Sequence, residues 1–212
     1  GDVVKALYLA KEQNVSRAGA LTTVGLDRVI GLFSFVTLGL IAGLSNLPKM
    51  FSIPELTSLF IFICALFVGF IVFFGFCFSS KVRGHKWTDK FLKKIPGGHI
   101  VEKLYDFVHA YKDAKGIFVT GILLSIVAQT TFIACMYLVA DKLGMPQRWS
   151  TLFFITPLGM ITMAIPISPA GIGVGQVAFH QLFMWYLGQD STLGATLISV
   201  MQAISIGVAL LG

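Results

Sequence analysis

Charge is scarce in this sequence. Asp, Glu, Lys and Arg make up 12% of its 212 residues, against 56% hydrophobic. A soluble domain usually carries about twice that charged share, so an ordinary soluble fold is excluded. Cysteine is scarce as well: Cys64, Cys77 and Cys135 each lie in an apolar segment, without paired spacing. They read as small hydrophobes rather than as a disulfide or metal set. Catalytic patterns are missing too. His180 has no second His or carboxylate at ligand spacing, and there is no Ser-His-Asp pattern, Walker-type phosphate loop or paired-carboxylate motif. No metal site and no cofactor are expected. No cleavable signal is expected, because Gly1 opens a polar segment. A start without Met and an end at Gly212 inside an apolar run are expected of a piece of a longer chain.

What is present points to an all-α polytopic membrane helix bundle, with residues 1–212 as a single transmembrane domain. The chain has 19 Phe and 22 Gly, and Gly is more frequent in membrane helices than in soluble ones. A surface helix is predicted from Asp2 to about Lys11, and a second helix from near Arg17 into a first span, Val29–Leu47. Further spans are predicted at Leu59–Phe78, Gly116–Ala140 and Ser191–Gly212. Gly39 and Gly43 have the small-xxx-small spacing that lets another helix approach closely. Gln129, Thr130 and Thr131 form a polar step within the third span, a place for hydrogen bonds to a neighbouring helix or, less commonly, for lining a path. Ser199, Gln202 and Ser205 share one face of the last span, expected to pack inside the bundle.

Basic charge is concentrated in one connection. Residues 81–115 hold nine of the sixteen Lys and Arg against four acids. The positive-inside rule places this connection in the cytoplasm of an inner-membrane protein, with anionic lipid headgroups rather than nucleic acid as its partner. Trp87, Phe91, Leu92 and Ile95 repeat at helical spacing, and after Pro96-Gly97-Gly98 so do Ile100, Val101, Leu104, Phe107, Val108 and Tyr111. Two amphipathic helices fit this pattern. They lie on the membrane interface or pack as a hairpin on the protein's own base, and periodicity does not choose between these.

The chain is organised around a stretch from Pro157 to Trp185. It falls in a run from Trp149 to Gln189 without Asp, Glu, Lys or Arg, and its centre reads Pro-Ile-Ser-Pro-Ala-Gly-Ile-Gly-Val-Gly-Gln from Pro166 to Gln176. Prolines and glycines break a helix there, and broken backbone at membrane depth needs burial in protein or a wet cavity. Two limbs of about 15 residues, within residues 150–188, are short of the roughly 20 needed to cross. A re-entrant hairpin is the economical reading, and two kinked spans are the alternative. Ser168, with amides near Gly171, Gly173 and Gly175, has the makings of an anion site at a half-helix N-terminus, flanked by Pro166 and Pro169. A tight turn needs the same residues. Gln176 and His180 share a helix face, where a lone His is more often a hydrogen-bonded core residue than a ligand. Asp27 and Arg28 stand where a helix enters the membrane. Arg28 is an anchor that snorkels to the interface or a fork for a lipid phosphate, the former favoured modestly.

Leu26-Asp27-Arg28-Val29-Ile30-Gly31-Leu32, followed by the segment from Pro166 to Phe179, resembles the flippase-like integral membrane family, also described as the transmembrane region of lysylphosphatidylglycerol synthetases. The resemblance covers most of the chain, and its proline-glycine part is the more specific. It implies a bundle that moves a lipid or its polar head between leaflets. It implies no lipid synthesis by this chain, which lacks the soluble aminoacyl-transfer domain. The family commonly has Glu where Asp27 and Gln176 stand. Loss of charge at Gln176 favours a lipid other than a lysyl lipid. The expectation is a lipid translocase in which Arg28 and the hairpin tip hold a headgroup in a polar cavity while the acyl chains stay in lipid. The substrate-binding set is Asp27, Arg28, Pro166, Ser168, Pro169, Gly171, Gly173, Gly175, Gln176 and His180. The alternatives are a non-transporting scaffold for envelope synthesis, with a dry, filled hairpin, and a membrane-embedded transferase using lipid-linked donors. A homo-oligomer is left open.

Overall fold

A computed structural model describes residues 17–78, 98–145, 149–164, 171–188 and 192–211. The surface helix from Asp2, the amphipathic segment Trp87–Ile95, and Pro166, Ser168 and Pro169 lie outside the described residues. Every regular element among the described residues is helical: α1 (Arg17–Ser45), α2 (Leu47–Met50), α3 (Pro54–Phe78), α4 (Gly98–His109), α5 (Lys115–Lys142), α6 (Trp149–Met163), α7 (Val174–Leu187) and α8 (Leu193–Leu211). Four are long and apolar enough to cross a membrane: Thr23–Ser45, Pro54–Phe78, Lys115–Lys142 and Leu193–Leu210. The protein is a multi-pass, all-α membrane protein. The second span begins earlier than hydropathy alone suggests, because Pro54 opens α3 and Glu55 sits in its first turn. Pro lacks the N–H that a first turn leaves unpaired, and an acid there favours the helix dipole.

The chain divides into two compact units. Residues 1–33 and 68–125 form the first, and α1, α3 and α5 each contribute to it. Its centre is aromatic. Phe74 meets Phe33 edge-on at 5.0 Å and Phe118 at 5.1 Å, and Phe118 meets Phe78 at 5.0 Å. Edge-to-face rings of this kind add about 0.5–1.5 kcal/mol each beyond their buried area.

Within this unit the last turns of α4 pack on the protein itself. Tyr105 and Val108 are buried, the Phe107 ring lies where a side chain on Gly25 would stand, and Tyr105 meets Phe76 edge-on at 5.7 Å. His109 fastens the end of the helix. Its Nδ1 donates to the Cys77 carbonyl at 2.7 Å, with Tyr105 Oη 3.2 Å from the same nitrogen. A carbonyl only accepts, so Nδ1 carries the proton. Cys77 is in the last turn of α3, where carbonyls have no intrahelical partner, so the imidazole caps that helix. Replacing His109 by Ala leaves this carbonyl without the imidazole in a site only 8% exposed. The expected result is a local loss of about 1–3 kcal/mol, read as faster amide hydrogen exchange across 98–109.

Residues 34–67 and 126–212 form the second unit. The small-residue pair in α1 acts as its spacing suggests. The Phe60 ring occupies the space beside Gly43, and Ile63 and Pro157 lie against Gly39. α6 is central here. Six consecutive residues, Phe154 to Gly159, are buried, so it is enclosed on every side rather than along one stripe. This enclosure is where Pro157 is tolerated in mid-helix, since broken backbone in a membrane protein must be covered by protein. By contrast α3 and α5 expose much of their apolar surface, including Ile61, Val72, Leu124 and Val127.

α6 and α7 form an antiparallel hairpin. Phe154 stacks on Tyr186 at 5.3 Å, Gly159 receives the Phe179 ring, and Met163 lies against Gly175. As the number rises along α6 it falls along α7. The same reversal relates α7 to α8, through Phe183 with Gly194 and Gln176 with Ser199. With 15 and 14 residues, α6 and α7 are about 22 and 21 Å long, against a hydrocarbon core of about 30 Å.

Candidate functional site

The hairpin closes on a methionine. Met163, the last residue of α6, has its side chain between Gly171 and Gly175, and any side chain at either glycine would displace it. Gly171 (φ 70°) and Gly173 (φ 87°) are both left-handed, a conformation that costs a glycine little and other residues about 1–2 kcal/mol. Gly173 is the N-cap of α7. Lacking a side chain, it cannot cap that helix, and Gln176 works in the other direction. The Gly173 N–H donates to Gln176 Oε1 at 2.6 Å.

That bond fixes the amide. An N–H needs an acceptor, so Oε1 must face Gly173 and Nε2 must face away. Nε2 donates to Gln202 Oε1 at 2.7 Å and to Ser199 Oγ at 3.1 Å. Ser199 in turn donates to the Ala195 carbonyl at 2.8 Å. One side chain thus ties the start of α7 to α8. The face carrying Ser199, Gln202 and Ser205 is less interior than its spacing suggests. Ser199 and Ser205 are exposed, Ser205 bonds back to the Met201 carbonyl, and only Gln202 is half-buried.

Beside the hairpin runs an apolar groove of about 580 Å3. Its walls are Leu59 of α3, Leu158 and Thr162 of α6, and a strip of α7 from Gly173 through Val174, Val177, Ala178, Gln181 and Leu182 to Trp185. The strip follows the three-to-four-residue repeat of one helix face and is about 18 Å long. Val177 is 69% exposed, so the groove opens outward. Thr162 turns its hydroxyl back to the Gly159 carbonyl at 2.7 Å, which leaves its methyl for the wall. This lining suits hydrocarbon rather than a headgroup. Polar groups meet it at the Gly173 end, where the backbone joins the Gln176 cluster.

Of the residues singled out by sequence, the second unit brings together Gly171, Gly173, Gly175, Gln176 and His180. His180 is half-buried and already engaged in a contact of its own. Asp27 and Arg28 belong to the first unit, both exposed on α1, and Arg28 is likewise engaged. Among the described residues no group of three or more His, Cys, Asp or Glu is placed to hold a metal ion.

The family described as lysylphosphatidylglycerol synthase TM region matches residues 1–212, the whole chain. The chain belongs to that family. No curated protein and no solved structure matches it. Membership ties this membrane domain to lipid handling. In this membrane domain, the features that sequence reasoning missed are the Met163 clamp, the apolar groove and the His109 cap. The groove had a signal: Val174, Val177, Ala178, Gln181 and Trp185 repeat along one face of the second limb. The Met163 contact had none, because it depends on how the two limbs meet.

Proposed function

We propose that this domain moves a phospholipid, or a lipid-linked polar headgroup, between leaflets, and that it does not itself synthesise the lipid. The groove along α7 carries this reading. An acyl chain lies against Val174, Val177, Ala178 and Leu182, and its headgroup comes to the Gly173 end of the hairpin. A scaffold would have a filled hairpin region, and a transferase would need an acid or His in the cavity. The groove has room, and its lining carries neither. The two short helices are then a re-entrant pair in the inner membrane, with the basic connection 81–115 cytoplasmic and facing anionic lipid.

An anion at the start of α7 would meet the N–H groups of Val174 and Gly175, because that of Gly173 is taken by Gln176. Arg28 supplies positive charge to the headgroup on its path. Replacing Arg28 by Ala is expected to slow leaflet transfer in proteoliposomes about tenfold, the effect of one charge-assisted hydrogen bond, while melting stays close to wild type. Unchanged transfer removes Arg28 from the assignment. Mass spectrometry of co-purified lipid tests the reading as a whole. One enriched phospholipid or lipid-linked headgroup class is expected, and a composition equal to the bulk membrane counts against it.

A further inference from the structure

Lys49 is the one charged residue between Arg28 and Glu55. It stands on α2 and is half-buried. Its backbone is held in place, because Met50 beside it is fully buried and the Met50 carbonyl accepts from Thr57 Oγ1 at 2.7 Å. The Lys49 ammonium meets no carboxylate among the described residues and lies over the Tyr186 ring, 3.9 Å from its centroid. A ring face engages one side of an ammonium that has three N–H donors. Tyr186 is only 5% exposed, and its hydroxyl has no hydrogen bond among the described residues. A buried hydroxyl without a partner is costly, and two donor groups side by side call for an anion.

This pair stands at the end of the groove away from Gly173. Leu158 and Thr162 of its α6 wall continue, four residues back, to Phe154, and Ala178 and Leu182 of its α7 wall continue, four residues on, to Tyr186. Residues four apart follow one another along a helix face. Phe154 and Tyr186 stack at 5.3 Å, so the two walls meet in an aromatic pair. Tyr186 is one turn, about 6 Å, beyond Leu182, and the Lys49 ammonium is on its ring. Trp149 meets Tyr137 edge-on at 5.7 Å at the same end of the hairpin, where Trp185 also stands. Such amphipathic rings gather at the membrane–water interface.

We infer that Lys49 and Tyr186 hold the phosphate of a phospholipid whose acyl chain runs along the groove toward Gly173. One span, α3, separates Lys49 from the basic connection 81–115, so this lipid belongs to the leaflet on the other side of the membrane. The inference rests on the lipid-moving reading above and adds to it a second station for the headgroup, at the interface rather than at the hairpin tip. The charge fits the place: an ammonium at the rim bonds the phosphodiester, and the apolar walls below it take the hydrocarbon.

The test is binding of labelled phosphatidylglycerol and of the phosphate-free diacylglycerol to the detergent-solubilised protein, for wild type, Lys49→Met, Lys49→Arg and Tyr186→Phe. Lys49→Met is expected to weaken phosphatidylglycerol binding about tenfold, as for a lost hydrogen bond to a charged group. Tyr186→Phe keeps the ring under Lys49 and is expected to weaken it about threefold. Lys49→Arg keeps the charge and is expected to bind within about threefold of wild type. Diacylglycerol binding is expected to be unchanged in all three. Unchanged phosphatidylglycerol binding in Lys49→Met overturns the inference, and so does an equal loss for both lipids with lower melting, which marks Lys49 as a structural cover on the Tyr186 ring. Glycerol 3-phosphate in solution is expected not to compete; competition equal to that of the lipid overturns the assignment to a lipid. Leaflet transfer by the wild type tests the lipid-moving reading separately. Transfer together with full binding in Lys49→Met removes this site alone, whereas binding lost in Lys49→Met without transfer in the wild type removes that reading and leaves the site.

Discussion

Replacing Gly194 by Val is expected to destabilise the protein by about 3 kcal/mol, at the upper end of ordinary overpacking. A Cβ built at Gly194 lies 2.5 Å from the carbonyl oxygen of Phe179 and 2.7 Å from the Phe183 ring. A ring can turn, but a helix backbone cannot step aside alone. α8 must move off α7, and the move stretches the bonds from Gln176 to Ser199 and Gln202. Gly207 in the same helix is the control, because among the described residues nothing beyond its own helix backbone comes within 4 Å of a Cβ there. Gly207→Val is expected to melt within about 1 kcal/mol of wild type. Equal melting of the two variants contradicts the packing described for α7 and α8.

Replacing Gln176 by Leu is expected to have the larger effect on activity. It strips the acceptor from the Gly173 N–H and the donor from both Gln202 Oε1 and Ser199 Oγ. Gly173 is exposed to solvent and Ser199 keeps its bond to the Ala195 carbonyl, so the accompanying loss of stability is expected to stay below about 1–3 kcal/mol, the cost of one buried unpaired group. Leaflet transfer is expected to fall at least tenfold, about 1.4 kcal/mol or more in barrier, because the turn that meets the headgroup is no longer held to α8. Gln176→Glu separates the two roles. A carboxylate still accepts from Gly173 but has no proton to give Gln202, and it places negative charge at the turn. It is expected to keep α7 capped while weakening anionic phospholipids relative to cationic ones, read in the same transfer assay with the two headgroups side by side.

Much of this fold was legible because membrane helices announce themselves by length. Four spans could be placed to within a few residues from charge-free runs. Where boundaries moved, polar caps moved them, as Pro54 and Glu55 did for α3. Gly39 and Gly43 gave their packing role through spacing alone, since a four-residue repeat lies on one face whatever the tertiary fold. The amphipathic pattern ending at His109 could not name the surface it covers. Periodicity records that a face is apolar, and only Phe107 against Gly25 and Tyr105 against Phe76 show that the face meets protein.

The candidate site was legible in part for the same reason. Proline and glycine between Pro157 and Gly175 gave a broken pair of short helices, and Gln176 stood out by chemistry. What Gln176 bonds to was not readable, because Ser199 and Gln202 come more than twenty residues later and the antiparallel return of α8 brings them back. The groove needed Leu59 from a helix more than a hundred residues earlier in the chain.

Leaflet transfer by the wild-type protein bears most directly on the central claim, that the hairpin and its groove carry a lipid across. The measurement uses proteoliposomes with fluorescent phosphatidylglycerol, and reads how fast inner-leaflet label becomes reachable by an impermeant quencher. Transfer faster than in protein-free liposomes, and slowed by Gln176→Leu, is the expected result. Rates that match protein-free liposomes, with the protein folded and inserted, contradict it.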